Sequence, residues 1–189
     1  VASLLGLART IRDRFLRTTA PSLAEARAGL WSADPAGFAA LPPGYVSAVM
    51  DQYKLYVEMA DRVSARRMTA NTFFLTLNSA AFTVVGVIWH DRLSASPWWL
   101  VFPLILVLGE CAAWYWLLRS YRQLNAAKYA VIGAIEEKLP ISPYWAAEWS
   151  ALGQGADPTR YLPLTHLEQW VPALFAATYV AAFVAALVA

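Results

Sequence analysis

The sequence predicts an all-α integral membrane protein: an antiparallel transmembrane helical hairpin with long cytoplasmic helical arms, plus a third C-terminal transmembrane helix. Three observations predict it. Two apolar runs, Phe73 to Trp89 and Pro97 to Leu118, flank a short polar link from His90 to Ser96, and a third run extends from Val171 to Ala189. Each approaches or exceeds the roughly 17 to 25 residues that carry a helix through hydrocarbon at about 1.5 Å per residue. Composition agrees, with 59% hydrophobic residues and a mean hydropathy of +0.42, above the soluble norm of about half apolar. Aromatic residues mark the run ends: Trp89, Trp98 and Trp99 on one side, and Trp114, Tyr115, Trp116 and Tyr121 on the other. Such rings keep an apolar body in lipid and a polar edge in water. A soluble alternative would need partner surface for three helices apolar on every side within 189 residues.

Residues 1–44 read as an N-terminal amphipathic helix and a Pro/Gly-rich cytoplasmic segment. Leu4, Leu7, Ile11 and Phe15 recur at helical spacing with Arg9, Arg12, Arg14 and Arg17 between them. The arginines follow the apolar residues, the reverse of a signal sequence, and suit a helix lying on an anionic membrane face or packed on the protein. Ser22 and Glu25 have capping-box spacing, which predicts two helical turns over Leu23 to Leu30, with Trp31 and Phe38 as anchors beyond.

Residues 45–139 read as one long hairpin with spans at about 73–89 and 97–118. No Gly or Pro interrupts Tyr45 through Val85, so arm and first span form one rod. Val46, Val49, Tyr53, Tyr56, Ala60 and Val63 recur in three- and four-residue steps, the seam of a helix pair. The second rod runs to Leu139, where Pro140 and Pro143 end it; Leu124, Ala127, Val131 and Ile135 mark its seam, and Glu136-Glu137 a solvated face. Residues 140–189 supply a cytoplasmic connector and the third span, about 168–189, with Thr165 as its cap and Glu168 completing the box.

Charge sets the orientation. Arg62, Arg66 and Arg67 precede the first span, and Arg119, Arg122 and Lys128 follow the second, while the link holds only Asp91 and Arg92. The positive-inside bias places both arms and the N-terminus in the cytoplasm, the link outside, and the C-terminus outside. The six cations are expected at lipid headgroups or a partner's carboxylates, or snorkelling at the membrane edge. A symmetric hairpin pairs residues whose numbers add to roughly 188, good to about one turn. That register sets Asn78 opposite Glu110, Arg66 opposite Arg122, and Asp61 near Lys128.

Glu110 is the most informative residue. An ionisable group near mid-span costs some ~2.5 to 3.5 kcal/mol on insertion scales and must face protein or water. Two roles suit it: a pore-lining carboxylate repeated around an oligomer, or a polar clasp to Asn78, Ser79 or Thr76. Ser79, Ala80 and Gly86 on the first span, and the alanines of the third, let helices approach closely and predict a homo-oligomer.

Other chemistry finds no foothold. His90 and His166 lack further ligands at metal spacing, Gly153-Gln154-Gly155 lacks the strand and lysine of a phosphate loop, and no serine elbow or carboxylate pair occurs. Cys111 is the sole cysteine and permits no internal disulfide. A net charge of +2 does not argue for nucleic acid. No cofactor, metal or enzymatic activity is expected.

Several strings carry a family likeness: Tyr53-Lys54-Leu55-Tyr56, Ala60-Asp61-Arg62, Ala65-Arg66-Arg67, Ala70-Asn71-Thr72-Phe73-Phe74 and Leu77-Asn78 before and within the first span, then Arg119-Ser120-Tyr121, Leu124-Asn125 and Ala127-Lys128-Tyr129 after the second. The arrangement resembles the SLATT proteins, small bacterial membrane effectors of anti-phage and nucleotide-signalling conflict systems. The likeness covers about Tyr45 to Leu139 and is one of architecture; the third span departs from the minimal two-span form. It implies a protein of the bacterial inner membrane that oligomerises and permeabilises or depolarises the bilayer when a cytosolic sensor is triggered. A membrane-anchored scaffold docking a cytosolic enzyme is the alternative, and a small transporter a further one.

Overall fold

A computed structural model describes residues 22–30, 44–91, 97–162 and 164–188. The expected amphipathic helix of the first 20 residues, Trp31, Phe38 and most of the link lie outside them. Among the described residues the only regular structure is helical, without strand: α1 (Leu23–Leu30), α2 (Gly44–Asp91), α3 (Val101–Glu136) and α4 (Leu164–Val188). A 3₁₀ turn, Pro97–Leu100, leads into α3, and a π-helical segment, Pro143–Trp149, follows it. Three of the helices, α2, α3 and α4, are long and apolar enough to cross a membrane.

Ser22 and Glu25 close the box that starts α1. Glu25 N–H donates to Ser22 Oγ (3.1 Å) and Ser22 N–H to Glu25 Oε2 (2.8 Å). Donation from Ser22 N–H, and from the Ser22 hydroxyl (3.0 Å), holds the Glu25 carboxylate below its usual range. α1 then docks on the C-terminal part of α3, where Arg27 forms a bidentate pair with Glu137 at 2.8 and 2.6 Å.

α2 is an unbroken rod of 48 residues, about 72 Å long. It runs antiparallel to α3, and Tyr53–Glu136, Ser64–Asn125, Asn71–Trp114 and Asn78–Glu110 are joined by side-chain hydrogen bonds. These pairs keep the numbers of facing residues near 188 from the arm to mid-span. Along the arm, Val49, Tyr53, Tyr56, Ala60 and Val63 face inward, whereas Val46 lies off the seam and is exposed. Leu124 of α3 is likewise exposed. From Ala130 to Glu136 nearly every α3 side chain is buried, because α1, the α2 arm and the π-helical segment enclose it.

Trp114 departs from the interfacial role its position suggests. It is fully buried, stacked on Phe74 with ring centroids 5.7 Å apart and 6.0 Å from Phe175, and its Nε1–H donates to Asn71 Oδ1 (3.1 Å). The ring joins the three spans and brings a hydrogen-bond partner for its N–H with it. Outward-facing Phe73, Phe102, Ile105, Leu106, Leu174 and Val184 are exposed, as surfaces turned to lipid or to neighbouring copies must be.

The connector is tightly built. Pro143 opens the π-helical segment, Ala146 N–H donates to Ser142 Oγ (3.1 Å), and Ala147 N–H reaches Ser142 O with the wide π spacing (3.1 Å). Trp145 packs where a Gly133 side chain would stand: a Cβ there would lie 2.7 Å from its ring. Gly153, Gln154 and Gly155 then take three successive left-handed conformations, which the flanking glycines accept and Gln154 adopts at some cost. α4 begins at Leu164, ahead of Thr165, whose side chain lies outside the described residues, as does that of His166.

Candidate intramembrane polar site

Asn78 is the centre of a polar cluster buried among the three spans. It faces α3 and α4 and is fully buried. Its Nδ2 donates to Phe74 O on its own helix (2.9 Å) and to Glu110 Oε1 on α3 (2.8 Å). Its Oδ1 accepts from Cys111 Sγ (3.5 Å) and from the Tyr179 hydroxyl of α4 (3.2 Å), which also reaches the Asn78 carbonyl (3.0 Å). Both amide hydrogens and both oxygen lone-pair directions are therefore used. In hydrocarbon, where water cannot compete, a saturated amide is a strong constraint on helix placement.

The structure brings Glu110 and Asn78 together and leaves Thr76 and Ser79 apart from them. Thr76 and Ser79 are exposed and donate to carbonyls one turn back on their own helix, Thr72 O (2.9 Å) and Leu75 O (2.8 Å). Thr69 and Thr83 do the same toward Ala65 O and Ser79 O. With Thr72 they form a row, 69, 72, 76, 79 and 83, of alternating three- and four-residue steps on the side of α2 turned away from α3 and α4.

The six cations divide. Arg62 pairs on its own helix with Glu58 (2.7 Å), and Arg66 is exposed. Arg66, which the hairpin register sets opposite Arg122, thus points outward, while its neighbour Arg67 and Arg122 both reach the first turns of α4: Arg67 Nε lies 3.5 Å from Glu168 Oε2, and Arg122 Nη1 donates to Gln169 Oε1 (3.0 Å). Arg119 is buried with its guanidinium 5.4 Å from the Trp116 ring centroid. Lys128 is buried too, 4.7 Å over the Tyr56 ring, and not at the Asp61 carboxylate the register suggests. The Tyr129 hydroxyl is pushed up by burial first and by the charge of Asp61 second.

Glu136 corrects the reading of Glu136-Glu137 as a solvated face. Glu137 meets Arg27, whereas Glu136 is 1% exposed and accepts from Tyr53 Oη (2.8 Å), Ser142 Oγ (2.7 Å), Tyr144 N (3.2 Å) and Trp145 N (2.9 Å). Burial, and then this acceptor, push the Tyr53 hydroxyl far above its ordinary range and keep it a donor. Sequence reasoning also passed over Tyr179 and Asn71. Tyr179 interrupts an Ala/Val run, and Asn71 falls within a turn of Trp114 in the hairpin register. Among the described residues no group of three or more His, Cys, Asp or Glu could hold a metal ion.

No curated protein and no solved structure matches the chain. The profile of the Octameric membrane protein family (8xMP) matches residues 50–188, from the arm of α2 through the last turn of α4. This chain therefore belongs to that family, as a small oligomeric membrane protein with three apolar helices of spanning length.

Proposed function

We propose that the protein is a bacterial inner-membrane effector that assembles as a ring, in keeping with its octameric family, and permeabilises or depolarises the bilayer when a cytosolic partner engages its arms. The carrying observation is the hydroxyl row of α2. Thr69, Thr72, Thr76, Ser79 and Thr83 lie outside the three-helix core, and four of them already bond their own backbone. That bonding lowers the cost of a polar row in a bilayer, and a ring of copies turning the row inward has a wettable lining without charge. The likeness to SLATT effectors supports the same reading. The unbroken α2 supports coupling, since a packed rod transmits rotation of the arm into the span.

A second reading, a scaffold that docks a cytosolic enzyme, is favoured by the exposed Val46, Leu55, Met59 and Met68 of the α2 arm. Ion flux from liposomes decides between them. Wild-type flux that falls with Thr76→Val and Ser79→Ala in assembled protein supports the effector; absence of flux from assembled protein supplied with bacterial cytosolic extract sinks it. In the same assay Glu110→Gln tests a charge role for Glu110, because Gln keeps its size and its bond from Asn78 but removes the charge.

A further inference from the structure

Beside the cytoplasmic ends of the spans, a cavity of about 460 Å³ lies between α2, α3 and the π-helical segment. One wall is polar and incompletely bonded. Arg67 Nε and Nη1 are buried without a hydrogen-bond partner, and Glu168 Oε2 stands at 3.5 Å, beyond good hydrogen-bond geometry. Asn125 donates its Nδ2 to Ser64 Oγ (3.2 Å), which leaves its buried Oδ1 without a donor. The other wall carries the rings of Tyr129, Tyr144 and Trp149, with Glu148 among them. Buried donors and an acceptor left open at the edge of a cavity ask for a ligand that offers both an anion and an N–H group.

Depth narrows the choice. Arg67 precedes the first apolar run by six residues, and Asn125 follows the second by seven, so both lie about 9 to 10 Å along the helix axes from the hydrocarbon. Helix tilt shortens that distance toward the headgroup layer. Arg67 is nearer the bilayer than Asn125, and Tyr129 is a further turn away. The polar order outward from the hydrocarbon is thus guanidinium, then amide, then aromatic rings with a carboxylate.

We propose that this cavity holds a phosphoester that carries an ammonium group, supplied as the phosphoethanolamine headgroup of a phospholipid from the adjoining leaflet. Its phosphate accepts from the Arg67 fork, and its ammonium donates to Asn125 Oδ1 and Glu148 and lies against the faces of Tyr129 and Trp149. Glu148 and Glu168 disfavour a purely anionic ligand, whereas a zwitterion satisfies both signs of charge. In such a lipid the phosphate lies on the acyl side and the ammonium at the far end, so a headgroup inserted from the hydrocarbon side leaves its phosphate nearest the bilayer, which matches the order of the groups. The assignment is independent of whether the assembly conducts ions.

The full-length protein in nanodiscs of phosphatidylethanolamine with phosphatidylglycerol, or of phosphatidylglycerol alone, tests this by native mass spectrometry of retained lipid. Wild type is expected to retain phosphatidylethanolamine about tenfold over phosphatidylglycerol, the scale of one well-placed charged contact. Arg67→Gln should lose most retention of both. Glu148→Gln, at an exposed position, should erase the preference without weakening phosphatidylglycerol, and the exposed Arg66→Gln should change nothing. Equal retention of the two lipids by wild type, or a preference that survives both Arg67→Gln and Glu148→Gln, would overturn the proposal. Glycerophosphoethanolamine added to phosphatidylglycerol nanodiscs separates the sources: binding of this soluble compound without retention of the lipid would overturn the lipid assignment.

Discussion

The Tyr179 hydroxyl of α4 is shared between the carbonyl and the side-chain oxygen of Asn78 on α2, at 3.0 and 3.2 Å. One amide thereby ties the third span to a hairpin already closed by Glu110. Tyr179→Phe removes this link and leaves the ring contacts to Phe82 and Phe175. It should cost about 0.6 to 1.7 kcal/mol, the range for interhelical hydrogen bonds in membranes. Asn78→Leu cuts the bonds to α3 and α4 together and should cost roughly 1 to 3 kcal/mol on the same scale. Unfolding in mixed micelles measures both; equal stability of Asn78→Leu and wild type would deny the cluster its structural role.

Glu136 organises the arm end of the hairpin. Glu136→Gln turns one acceptor oxygen into a donor facing donors, so it should destabilise this end of the hairpin by about 2 to 3 kcal/mol. Tyr53→Phe removes a single bond to the same carboxyl and should cost about 1 to 2 kcal/mol. Thermal unfolding followed by tryptophan emission checks the order of the two effects.

Gly133 exists for Trp145. Gly133→Ala drives a methyl group into the indole, at 2.7 Å, and should cost about 1 to 3 kcal/mol as overpacking. Trp145→Leu in the same chain should recover part of that loss, and a double-mutant cycle reads the coupling.

Acid should release α1. The Arg27 hydrogen bonds hold Glu137 below the usual carboxylate range. A carboxylate with a depressed folded pKa stabilises docking above its unfolded value, near ~4.3, and loses that contribution as pH falls through the folded value. Hydrogen exchange over residues 23–30 should therefore rise below about pH 4. Glu137→Gln should show the raised exchange already at neutral pH and leave only the smaller acid dependence of the Glu25 cap.

The charge asymmetry predicts the orientation in the membrane. With Cys111 replaced, a cysteine at Ser94 should react with an impermeant reagent outside intact cells, and one at Lys138 should react only after lysis. Outside labelling at position 138 would reverse the orientation.

What was legible in the chain was what repeats or extends. Span lengths, the breaker-free α2, the Ser22–Glu25 cap and the antiparallel register all rest on local chemistry summed over many residues. The register placed Asn78 beside Glu110 because two straight rods joined by a short link leave little other choice. Single side chains that answer to a third element were not legible. Glu136 and Glu137 are neighbours of one type, and only the returning π-helical segment sends one inward. Trp114 has the composition of a headgroup belt, but α4 arrives to cover it. Lys128 chose the Tyr56 face over Asp61, a difference of less than one helical turn.

The partners of Asn78 also reach it in a fixed order as the chain is made. When α2 enters the bilayer its amide can satisfy only Phe74 O on its own helix. Translation of α3 delivers Glu110 and Cys111, and a hairpin halted there still carries an amide oxygen short of its tyrosine partner. Tyr179 emerges 101 residues after Asn78 and closes the set. A nascent chain truncated before α4 thus carries an incompletely bonded amide oxygen inside the membrane, which the finished chain does not.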